Sequence, residues 1–157
     1  MRWLARWWPA ILWAVFISAL STAGFSSERT GRFLIPPLHW LFPRASYDTL
    51  LLIHQLIRKI GHFSEYFVLS VFILRGIRAG RREAHLAWAL IAIAVVASYA
   101  AFDEWHQSSV PGRGLELSDI LLDTSAGVAA QAIAALVRLR GRGTEPHAAK
   151  HEISPPK

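Results

Sequence analysis

The sequence predicts an all-α fold: a polytopic membrane helical bundle of four transmembrane helices, with an outer loop that carries an amphipathic segment. Of 157 residues, 53% are hydrophobic and 18% charged, and the apolar ones gather in blocks rather than at one-face spacing. Trp7 to Phe25 and Leu86 to Phe102 hold no charge, and Ile120 to Val137 holds only Asp123. A span needs ~20 mostly apolar residues, with ~17 as the lower end, so all three runs qualify. Three such runs in so short a chain argue against a soluble bundle with very apolar core helices.

The first run follows Arg2 and Arg6. Ser21-Thr22-Ala23 has the small residues of a signal-peptide cleavage site. The run is long for a signal core, however, and Trp3, Trp7, Trp8 and Trp13 suit membrane anchoring, so a retained helix is expected. Residues 26–59 form an outer segment in which Phe33-Leu34-Ile35-Pro36-Pro37 and Trp40-Leu41-Phe42-Pro43 are too broken by proline to span. An interfacial loop is expected there. Leu50, Leu51, Ile53, Leu56, Ile57 and Ile60 then mark an amphipathic helix that runs into the second span, Ile60 to Ile77. This span is the weakest, since it carries His62, Glu65 and Arg75. In the third span Ala87, Ala94 and Ala101 offer a small-residue face. In the fourth, Ala126, Ala130 and Ala134 with Gly127 offer another. Residues 1–140 therefore form one membrane domain, and 141–157 a polar, basic, disordered cytoplasmic tail.

The formal net charge is +6, and its placement sets the topology. With the N-terminus inside, segments 1–6, 78–85 and 138–157 carry ten Lys and Arg, against six in the longer outer segments. That bias places both termini in the cytoplasm. Nucleic acid is excluded as a partner, because the Arg-rich tail lacks aromatic interleaving and any recognition motif. Cysteine is absent, which excludes disulfides and thiolate metal ligands.

In this topology the polar residues converge at the outer ends of three helices. Lys59, His62 and Tyr66 form one helical stripe, with Glu65 beside it. Asp119, Asp123 and Gly127 form a second. Asp103, His106 and Gln107 form a third if their helix continues that far, while Glu104 points toward the loop. Arg113 is aimed by the Pro111-Gly112 turn between them. Ion pairs such as Lys59 with Asp119, or Arg113 with Asp123, are the structural reading. Buried pairs are poor stability devices, though, and ionisable groups at membrane depth mark functional sites.

The chemistry stays open on the residues alone. Asp103, Glu104, His106, Asp119 and Asp123 are the candidate metal ligands, for a divalent cation, or catalytic acids and bases. Lys59, His62, Glu65, Tyr66, Gln107 and Arg113 are the candidate ligand-binding set, with arginine as a bidentate phosphate binder.

These residues resemble a known family. Arg58-Lys59-Ile60-Gly61-His62-Phe63 with Glu65-Tyr66 is similar to the second-helix motif of VanZ-like membrane proteins. Asp103-Glu104-Trp105-His106-Gln107, Pro111-Gly112-Arg113, Asp119-Ile120 and Asp123-Thr124 with Gly127 resemble that family's second block, in the same order and spacing. The likeness covers residues 58–130 and departs at Ser108-Ser109, where aromatic residues are common. It implies a multi-pass protein of the bacterial cytoplasmic (inner) membrane that acts on the cell envelope, in a family named for teicoplanin resistance. Three functions are expected from residues and resemblance together. The first is binding of a membrane lipid, either an anionic lipid or a cell-wall lipid intermediate, at the outward-facing charged pocket. The second is an intramembrane metal-assisted hydrolase or transferase acting on a lipid phosphate. The third is a small transporter with His62 and Glu65 as a relay.

Overall fold

The computed structural model describes residues 3–22, 27–81, 85–109 and 114–142, with side chains described to residue 140. Arg113 with its Pro111-Gly112 turn, Ala23, and the tail from 143 onward lie outside the described residues. The rest forms five helices: α1 (Leu4–Leu20), α2 (Ser27–Leu41), α3 (Tyr47–Arg78), α4 (Leu86–Ser108) and α5 (Leu117–Arg142).

α3, α4 and α5 are long and apolar enough to cross a membrane, and α1 is apolar but shorter. Its 17 residues rise about 25 Å at ~1.5 Å per residue. Three spanning helices and this shorter one thus stand where four spans are expected from the sequence. Many large apolar side chains point outward, among them Leu12, Phe16, Leu90, Phe102, Leu121 and Val137. So much exposed apolar surface suits lipid and not water.

The amphipathic segment and the second span are one helix. Ser46, in extended conformation, caps α3 by accepting the Thr49 N–H, with Asp48 in the first turn. Arg75 and Arg78 sit in its last turn, where cations suit the partial negative charge of a helix end. The 32 residues of α3 rise about 48 Å, well beyond the ~30 Å of a hydrocarbon core. Its first turns therefore stand clear of the span.

The proline-broken stretch is helical, contrary to the loop expected there. α2 includes both Pro36 and Pro37. Each proline removes one N–H donor, but the helix is held by other means. Glu28 and Arg32 pair at i, i+4, Thr30 Oγ1 lies 3.1 Å from His54 Nε2, and the Arg58 guanidinium donates to Thr30 Oγ1 at 3.2 Å. Docking on α3 supplies what local propensity lacks.

α3 is the hub and packs against each of the other four helices. Its buried face holds Tyr66, Leu69, Ile73 and Leu74, against Val96 and Ala100 of α4 and Ala126 of α5. The small-residue face of α5 is as expected, with Ala126, Gly127 and Ala130 buried. That of α4 is not. Ala87, Ala94 and Ala101 are exposed, and the buried stripe is Ala92, Val96 and Ala100. In a helix apolar all round, alanine spacing does not choose the inner face, and the ring of α3 and α5 does.

Two glycines mark the closest approaches. A Cβ on Gly76 would lie 2.8 Å from the Trp7 ring, and one on Gly127 would lie 2.9 Å from Val96 Cγ1. Gly127→Val is expected to destabilise the bundle by about 1–3 kcal/mol through overpacking, read as an earlier unfolding midpoint in detergent. An unchanged midpoint would mean that α4 and α5 separate freely.

Candidate functional site

The charged groups meet at one end of the bundle, where α3 and α5 start their shared path and α4 ends. α3 and α5 run parallel, with Lys59 Nζ 3.4 Å from Asp119 Oδ1 and His62 Nδ1 3.9 Å from Asp123 Oδ2. The first pair is half-exposed, the second mostly buried. Asp123 takes the place opposite His62 because Asp119, Asp123 and Gly127 lie on one face of α5. Its Oδ1 is buried without a hydrogen-bond partner.

α4 runs to Ser108, so the Asp103 block is helical as expected. Asp103 is 4% exposed, and its Oδ2 accepts from Ser21 Oγ at 2.8 Å, Tyr66 Oη at 3.1 Å and Gln107 Nε2 at 2.8 Å. One carboxylate oxygen thus joins α1, α3 and α4. Gln107 also donates to Ser21 Oγ at 3.2 Å. Glu104, beside Asp103, turns the other way and accepts the Glu116 N–H at 2.7 Å. Glu116 starts α5, since its carbonyl accepts from the Asp119 N–H at 3.0 Å, and a carboxylate suits that positive helix end.

His106 does not join the group. It lies on the exposed side of α4 with Trp105, because Asp103 and Gln107 at i, i+4 define the inward face. The expected stripe is therefore Asp103 with Gln107 alone. Arg113 lies outside the described residues, so its expected pairing with Asp123 has no geometry here.

Two cavities open among these residues. The smaller, of about 140 Å³, is lined by Leu20 and Ser21 of α1, by Arg58, Gly61, His62 and Glu65 of α3, and by Gln107. The larger, of about 340 Å³, lies between Arg58, Lys59 and His62 on one side and Glu104, Glu116 and Asp119 on the other. Arg58, His62 and Gln107 line both, so the two form one trough along α3. In the larger cavity the walls have opposite character, with Arg58, Lys59 and His62 on α3 and carboxylates on the α4–α5 side, while the smaller one adds Glu65 of α3.

Among the described residues, no three Asp, Glu or His side chains are grouped to hold a metal ion. The five expected metal ligands are divided instead. Asp103 serves three donors, Glu104 serves the start of α5, Asp119 faces Lys59, Asp123 faces His62, and His106 points away.

Two members of the site were not among the expected residues. Ser21, whose surroundings only resemble a cleavage site in a helix expected to be retained, is buried at the hub. A hydroxyl at the C-terminal end of an apolar helix is the signal that marks it. Arg58 lines both cavities, and its place one turn before His62 put it on the same stripe.

A family model described as VanZ/LLP1 matches residues 7–138. The chain belongs to the VanZ/LLP1 family. The match runs from the first turns of α1 to the last turns of α5, and so takes in every described residue of the trough. No curated protein and no solved structure matches the chain. Family membership and the apolar helices together make it a multi-pass membrane protein in contact with lipid.

Proposed function

We propose that this VanZ/LLP1 protein binds an anionic lipid, or a cell-wall lipid intermediate, with the lipid's head in the trough. The two-sided cavity carries the reading. A phosphate would take Arg58, Lys59 and His62, for which guanidinium and ammonium groups are suited. Hydroxyl or amine groups of the same head would take Glu104, Glu116 and Asp119. A soluble anion has no need of the second wall. With α1 as a fourth span and both termini in the cytoplasm, as the Lys and Arg bias favours, the trough faces outward from the inner membrane. Holding such an intermediate would give the protein a part in envelope homeostasis and in tolerance to teicoplanin.

The test is native mass spectrometry of detergent-purified protein beside Arg58→Ala and Lys59→Ala. Each variant is expected to retain severalfold less anionic lipid. The Lys59–Asp119 pair is half-exposed and is worth ~1 kcal/mol at most, so its loss leaves the fold intact. Unchanged lipid in both variants would end the proposal.

A second reading, a hydrolase or transferase on the same lipid phosphate, is favoured by Asp123. This carboxylate is 4% exposed, with an unpartnered Oδ1 and an imidazole 3.9 Å from its other oxygen. An acid and a base set together in a protected site can move protons at a phosphate ester. Turnover of a polyprenyl phosphate that is lost in Asp123→Asn would favour it. The grouping of the carboxylates does not favour a metal-assisted form, and no observation favours the transporter.

A further inference from the structure

A third cavity, of about 460 Å³, lies between α2 and α3, within the ~300–1,000 Å³ range of small-molecule sites. The connection 42–46 turns the chain back, so α2 runs antiparallel to the first turns of α3. Thr30 meets His54 and Arg58 at one end of this hairpin. Ile35 and Pro36 share the cavity with Tyr47 and Leu51 at the other. These α3 residues precede Lys59, which faces Asp119 in the first turn of α5. The hairpin therefore stands beyond the trough, on the side away from the span. The two sites are continuous, because Ser27 and Gln55 line both this cavity and the larger one of the trough.

Its lining differs from that of the trough. Glu28 and Arg32 are its acid and its base, and they pair with each other, so the walls offer a phosphate no excess of positive charge. Near the trough the wall is polar, with Ser27, Gln55 and the buried His54, whose Nε2 lies 3.1 Å from Thr30 Oγ1. Farther out it is apolar, with Ile35, Pro36 and Leu51, and Tyr47 adds an aromatic ring. Donors and acceptors at one end and apolar surface at the other suit a neutral group that is itself two-faced. A sugar ring is such a group. Its hydroxyls take amide, carboxylate and guanidinium partners, and its C–H face lies against aromatic and aliphatic side chains. An acyl chain would instead set Ser27, Gln55 and the Glu28–Arg32 pair against hydrocarbon, at a cost in desolvation.

We infer that the α2–α3 cavity binds a sugar carried by the lipid whose phosphate the trough holds, which makes the ligand a glycosylated lipid phosphate. This rests on the lipid reading of the trough and narrows it. The phosphate stays beside Lys59, and the sugar reaches past Ser27 and Gln55 into the hairpin. A phospholipid without a sugar fills the trough alone. Docking of the proline-containing α2 on α3 then supplies one wall of the sugar site.

The test titrates the purified full chain with polyprenyl phosphates of one chain length, read by native mass spectrometry. One is bare, and the others carry a hexose or an N-acetylhexosamine on the phosphate. A sugar-bearing lipid is expected to bind about tenfold tighter than the bare one. Tyr47→Ala and Arg32→Ala are expected to remove that margin while the bare lipid stays within about twofold of the parent. Tyr47 is exposed, as are both members of the Glu28–Arg32 pair, so neither change opens the core. The bare lipid reports the fold in each variant, and Tyr47→Ala decides alone if Arg32→Ala loses it. Lys59→Ala should instead weaken all the lipids alike, as the trough reading requires. Equal binding of all of them by the parent would overturn the sugar site and leave the trough standing, whereas binding of none would end both. A margin kept in Tyr47→Ala, or a loss there shared equally by every lipid, would also overturn the sugar site. So would a methyl glycoside of the preferred sugar bound as tightly as the lipid, by making the ligand a free sugar.

Discussion

Asp103→Ala is expected to lower stability by about 3 kcal/mol or more, since each buried donor left unpaired costs about 1–3 kcal/mol. Three donors converge on one oxygen: Ser21 Oγ, Tyr66 Oη and Gln107 Nε2. They come from three helices, and Tyr66 is fully buried at 0% exposure. Only the Gln107–Ser21 bond, at 3.2 Å, would remain among the three. Asp103→Asn should cost less, because its amide keeps one acceptor oxygen in place. Its amine would nevertheless face the donors, so a partial loss is expected. Unfolding of the purified protein in mixed detergent, followed by helicity, measures both. The required order is parent, then Asn, then Ala. An alanine variant as stable as the parent would mean that α1 is held by its apolar contacts alone.

That hub changes how the charged end is divided. Asp103, Tyr66, Gln107 and Ser21 satisfy one another and join helices by hydrogen bonds, not by an ion pair. Asp123 differs, because its Oδ1 has no hydrogen-bond partner. Glu65 also differs, since its backbone carbonyl accepts from Trp13 Nε1 at 2.8 Å while its side chain lines the smaller cavity. The residues available for a ligand are therefore the trough wall and the Asp123–His62 pair, a narrower set than the whole cluster.

How far this was legible differs by element. The long uncharged runs gave α4 and α5, because lipid demands continuous apolar surface and sequence displays it directly. The run of α3 into the amphipathic segment was legible too, since apolar spacing continued without a break across Lys59. α2 was not, because its helicity depends on docking Thr30 and Gly31 against His54, a long-range contact that local proline chemistry opposes. The inward set at Asp103 was half legible. Periodicity joined Asp103 to both His106 and Gln107, which are neighbours three and four residues on, and only the positions of α1 and α3 select Gln107. Ser21 was hidden by its likeness to a processing signal.

The strongest effect on binding is expected from filling the trough without touching a charge. Gly61 lines the smaller cavity, and a Cβ built there meets nothing within 4 Å. Gly61→Ala should therefore be harmless or stabilising, by up to ~1 kcal/mol, since alanine is the better helix former. Gly61→Trp places an indole in about 140 Å³ of space that a bound lipid head would need. Overpacking costs about 1–3 kcal/mol, so lipid affinity should fall about ten- to hundredfold. The unfolding midpoint should stay near the parent's, because the empty protein has room for the ring. Loss of lipid with the fold retained separates occupancy from stability, which the charge variants cannot do as cleanly. If the tryptophan variant kept its full complement of anionic lipid, the lipid would sit elsewhere on the bundle, and the trough would be a solvent cleft between helix ends.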